Sequence, residues 1–117
     1  MTHQQVAHRE RMEAALAGQI LDRPPVALWR HFPVDDQRPD TLAAAVTAFQ
    51  HWYDFDFIKV TPSSSYCLYD WGAQDTWNGN PEGTREYGAP VIHQPEDWAR
   101  LPRLAPTRGH LGGMLEC

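Results

Sequence analysis

Lysine is almost missing from this chain: Lys59 is the single one, and the 117 residues carry a net charge of −5. A negative surface with so few lysines suits neither nucleic acid nor an anionic membrane, since both bind basic faces. Long apolar runs are missing too. No stretch approaches the roughly 18 residues of a membrane span, and Met1–Glu13 is too polar and charged for a secretory leader. Cysteine is confined to Cys67 and Cys117, far apart in sequence. This pattern reads as two reduced thiols in a soluble cytoplasmic protein, with a disulfide left open. The length allows one domain at most.

The chain carries an alternation of helical and extended signals. A first helix is expected over 2–17, with Thr2 as a possible N-cap and Gly18 just past its end. His3 and His8 lie on it among polar neighbours and read as solvated. Pro24 and Pro25 hold the chain extended ahead of a strand over 26–32, whose start, Val26–Trp29, is continuously apolar. Asp35 and Asp36 follow in a Pro-bounded loop, where adjacent carboxylates read as solvating a turn. A helix is expected over 40–53, because Leu42, Ala45, Val46, Phe49 and Tyr53 form one stripe. A second strand, 57–61, ends at Pro62. Strand, helix, strand with this crossover implies a right-handed parallel pair. Beyond it are expected a long loop over 62–83, a small hairpin over 84–93, a short helix over 95–101 and a last helix starting near Leu111.

In a parallel barrel, ligands bind at the C-terminal ends of the strands. Arg30 and His31 crown the first strand, and an arginine there is suited to gripping a carboxylate with two parallel hydrogen bonds. The other reading pairs Arg30 with Asp35 or Asp36. Beyond the second strand, Ser63, Ser64, Tyr66, Asp70 and Trp71 supply hydroxyl, acidic and aromatic groups for a pocket wall or lid. These seven residues are the expected substrate-binding set. No catalytic residue and no metal ligand is assigned. Lys59, mid-strand, is expected to reach a carboxylate such as Asp56 or Asp70, with a catalytic amine as the alternative.

Two strands cannot close a cylinder that takes about 250 residues. The expectation is therefore an α/β chain forming the N-terminal portion of a (β/α)8 TIM barrel, inactive alone and self-associating through exposed barrel edges.

The run Arg9-Glu10-Arg11-Met12-Glu13-Ala14-Ala15-Leu16-Ala17-Gly18, then Asp22-Arg23-Pro24-Pro25-Val26, then Arg30, resembles the opening of the uroporphyrinogen decarboxylase (URO-D) superfamily. Asp54–Val60 and Glu86-Tyr87-Gly88 are similar to members of the wider group. The resemblance implies a barrel whose mouth binds a small molecule, a tetrapyrrole or related carboxylated substrate, for decarboxylation in porphyrin biosynthesis. Arg30 matches the family's first arginine. The second would fall at Val34, and an aspartate at Pro62 or Ser63, so both family residues are replaced here. The same superfamily includes corrinoid (cobalamin)-dependent methyltransferases. For these the resemblance implies zinc and corrinoid held by later parts of the barrel, with no cofactor in this stretch. A reading from another class is a non-catalytic, aromatic-rich binding module that stacks on sugars, suggested by five tryptophans and four tyrosines.

Overall fold

Helix α1, His8–Leu16, begins where the Glu10 carboxylate accepts the Ala7 amide at 3.3 Å. It ends at Gly18, whose φ of +66° is reached without strain because glycine has no Cβ. The computed structural model describes residues 6–117, so the expected start at Thr2, and His3, lie outside the described residues. Helix α2 runs over Pro39–Tyr53. Proline at its first position needs no amide partner, and the Thr41 hydroxyl donates to the Asp35 carbonyl at 2.6 Å just ahead of it. Leu42 and Val46, from the expected stripe, are buried, while Tyr53 at the far end is exposed. Helix α3 covers Gly109–Met114, and short 3-10 turns occupy Asp35–Gln37, Tyr69–Trp71 and Pro95–Arg100.

The parallel barrel portion expected from the sequence does not form. Neither 26–32 nor 57–61 is a strand, and the sheet among the described residues is one antiparallel pair. Strand β1, Asp75–Thr76, pairs with β2, Glu86–Tyr87, in the register Asp75 to Tyr87 and Thr76 to Glu86. A buried parallel strand needs cover on both faces. Here Val26, Leu28, Trp29, Phe57, Ile58 and Val60 all remain exposed. The Val26 amide, which would open the first ladder, donates instead to the Asp56 carboxylate at 2.7 Å. The expected 84–93 hairpin is also replaced. β2 reaches back to β1, which lies inside the expected 62–83 loop, and the Gly88 amide continues that pairing to the Gln74 carbonyl at 2.8 Å. Pro90 lacks the amide with which the following residues would extend a hairpin ladder.

The chain divides into two units. The first comprises the described part of Met1–Trp29 together with Val46–Val60; the second comprises Arg30–Ala45 and Thr61–Cys117. Buried polar side chains (Arg11, Asp36, Asp56, Ser63, Ser65) outnumber buried apolar ones (Leu42, Val46, Met114) among the described residues. Each unit is therefore organised as much by hydrogen-bonded charge as by apolar packing. No helix among the described residues is long and apolar enough to cross a membrane.

Candidate functional site

In the first unit the centre is Asp56. Its carboxylate accepts from Arg11 at 2.5 Å, from Arg23, from His8 Nδ1 at 3.0 Å and from the Val26 amide. Arg11 also donates twice to Asp22, at 2.9 and 3.0 Å. Hydrogen bonding, from Arg23 above all, holds the Asp56 pKa far below the usual carboxylate range despite burial. Asp22 is lowered to about 2, chiefly by Arg11. His8, expected to be solvated, is partly exposed but is also held by two carboxylates. Its two ring nitrogens face Asp56 and Asp54 at 3.0 Å each, and these contacts raise its pKa. Every group here is answered by another, so the cluster reads as a latch between α1, the Asp22–Val26 turn and the end of α2. Lys59, expected in a buried strand, is exposed. Its ammonium lies over the Trp29 ring, 3.8 Å from the centroid.

The second unit holds all seven expected substrate-binding residues. Arg30 is exposed, its Nε donates to the His31 carbonyl at 3.1 Å, and its guanidinium lies over the Phe32 ring at 5.4 Å. Among the described residues Arg30, Arg103 and Arg108 are the arginines without a carboxylate partner, so the alternative pairing of Arg30 with Asp35 or Asp36 does not occur. His31 packs against Gly83, where a Cβ would meet the imidazole's own Cβ at 2.6 Å. Ser63 is buried, with its hydroxyl 3.4 Å from the Tyr69 hydroxyl. Ser64 is exposed, and the Tyr66 amide closes a turn onto the Ser63 carbonyl at 3.0 Å.

Asp70 does structural work. Its carboxylate accepts the His110 and Leu111 amides, both at 2.8 Å, and these bonds lower its pKa. Trp71 donates to the Pro102 carbonyl at 2.9 Å and lines an apolar cleft of about 640 Å3 with Tyr87, Val91, Ile92, Trp98 and Leu101. The expected set is thus distributed over several local environments and does not converge on one pocket.

A buried cluster that sequence reasoning missed sits beside β1. The side chains of Asp75 and Arg85 are 1% and 8% exposed, and Arg85 Nε donates to Asp75 at 2.5 Å. The Tyr69 hydroxyl donates to both Asp75 oxygens, at 2.9 and 3.0 Å. Burial pushes the Asp75 pKa up, but the hydrogen bonds from Arg85 and Tyr69 and the Arg85 charge help bring it below the usual value. Asp36 is buried as well, 1% exposed, and not solvated; desolvation raises its pKa. No signal in sequence marks this pair, because Asp75 and Arg85 become neighbours only when β2 pairs with β1. No group of three or more His, Cys, Asp or Glu side chains among the described residues is arranged to hold a metal ion, and Cys67 and Cys117 are free and exposed.

Comparison with protein-family models, with curated proteins and with solved structures finds no match to this chain.

Proposed function

We propose that this chain contributes carboxylate recognition to an enzyme similar to uroporphyrinogen decarboxylase, acting on a tetrapyrrole or a related carboxylated small molecule. The observation that carries the reading is the Arg30 guanidinium. Its Nε and its face are already occupied by the His31 carbonyl and the Phe32 ring, while no carboxylate neutralises it. That arrangement orients the two terminal nitrogens at little further entropic cost and leaves them for an incoming carboxylate. The apolar cleft beside Trp71 supplies the same unit with a surface suited to a ring system.

Titration with uroporphyrin, followed by tryptophan fluorescence, tests the reading. Arg30→Ala is expected to weaken binding roughly tenfold or more, the scale of one lost hydrogen-bonded charge pair. Arg30→Lys restores only part, because lysine keeps the charge without the fork. Affinity that is unchanged in Arg30→Ala at low and high salt would remove Arg30 from recognition.

A further inference from the structure

The buried Arg85 guanidinium has one nitrogen, Nη1, that is shut off from solvent and makes no hydrogen bond to the protein. Its Nε is held by Asp75, and its Nη2 reaches only the Gln37 side-chain oxygen, at a long 3.4 Å. A buried donor left unanswered is costly, so a native arginine in this state points to an acceptor that completes it. Two clefts adjoin it, of about 470 and 390 Å3, both lined by Gln37, Asp75, Thr76 and Arg85. The smaller adds Trp77, whose indole nitrogen is tied to the Asn80 carbonyl at 2.7 Å, which fixes the ring in the wall.

Charge selects the ligand. Asp75 already neutralises Arg85, and a second buried carboxylate, Asp36, is linked to the same guanidinium through the Gln37 side chain. An added anion would therefore meet a site with no positive excess. The remaining chemistry is a donor at Arg85, the acceptor oxygen of Gln37 (whose amide nitrogen is taken by Asp36), the Thr76 hydroxyl, and an apolar indole. We propose that Arg85, Gln37, Thr76 and Trp77 form a subsite for an uncharged polyhydroxyl ligand such as a sugar ring. The Gln37 side chain stays tied to Asp36 through its amide nitrogen and gives up only the long contact of its oxygen to Arg85 Nη2, so that a ligand hydroxyl accepts from the guanidinium edge uncovered there. The Trp77 ring covers the ligand's C–H face. The subsite is independent of Arg30.

Maltotriose titrated into the 117-residue chain, followed by NMR of the Trp77 indole and Arg85 side-chain N–H signals, tests this. The expected result is a saturable shift of both signals that is insensitive to salt and is not displaced by citrate. Arg85→Lys, which keeps the charge facing Asp75 but removes the forked donor, should weaken binding roughly tenfold. Trp77→Leu should do the same, and Arg30→Ala should leave binding unchanged, separating this subsite from the carboxylate reading. If Arg85→Lys does not fold, Trp77→Leu decides. No saturable shift, displacement by citrate, or undiminished binding in a folded Arg85→Lys or Trp77→Leu chain would overturn the proposal.

Discussion

His8 touches two carboxylates at once, Asp54 through one ring nitrogen and Asp56 through the other. Two acceptors on one imidazole are satisfied together only when both nitrogens carry protons, so the folded chain favours the charged ring. A pKa raised on folding contributes stability in full below the unfolded value, about 6.5, and loses it as pH climbs through the folded one. Asp56 and Asp22 act in the opposite sense. Their pKa values are lowered, so their contribution is full above about pH 4 and is lost as acid protonates them. Thermal melting followed across pH is expected to show the highest Tm between about pH 4 and 6.5. His8→Gln should flatten the alkaline fall while leaving the acid fall in place. An alkaline limb unchanged in His8→Gln would exclude the bridge as its source.

At the scale of elements, α3 depends on a carboxylate from a distant turn. Asp70 answers the His110 and Leu111 amides, and it lies so close to Gly109 that a Cβ there would come within 2.4 Å of Asp70 Oδ1. Gly109 also has φ +66°, a region that costs side-chain-bearing residues energy. Gly109→Ala is therefore expected to destabilise the chain by about 1–3 kcal/mol. The measurement is urea unfolding, with faster amide exchange at His110 and Leu111 as the local signature. Wild-type midpoint and protection in Gly109→Ala would contradict the packing described. The contrast between α2 and the missing strands has a physical cause. A helix closes its hydrogen bonds within a few residues, so the stripe Leu42, Val46, Phe49 announces it locally. A strand needs a distant partner and cover on both faces, and the apolar runs at Val26 and Ile58 carry no information about whether either is supplied.

Over the whole molecule, the apolar groups of Leu28, Trp29, Ile58 and Val60 face solvent, from 47% to 62% exposed. Clustered exposed apolar side chains favour association. Sedimentation is expected to show association that grows with protein concentration, and Leu28→Glu with Ile58→Glu should reduce it. A monomer at all concentrations would show that these side chains do not drive self-association. The candidate sites divide in the same way as the elements. Arg30 was legible as a lone cation after an apolar run. The Asp75–Arg85 cluster was not, because its members become neighbours only when β2 returns to β1.

The sequence by itself determined the helix expected over 40–53, which forms as Pro39–Tyr53, and the stop at Gly18, since periodicity and glycine conformation act locally. The pairing of Arg11 with Asp22 and of Arg23 with Asp56 is a matter of which charges the fold brings together. Tertiary structure alone decided that Val26 donates to a carboxylate and not to a neighbouring strand, that the sheet is antiparallel, and that Arg85 is buried with an open donor. Each of these depends on which distant groups meet, and a hydrogen bond between residues tens of positions apart leaves no mark on the residues between them.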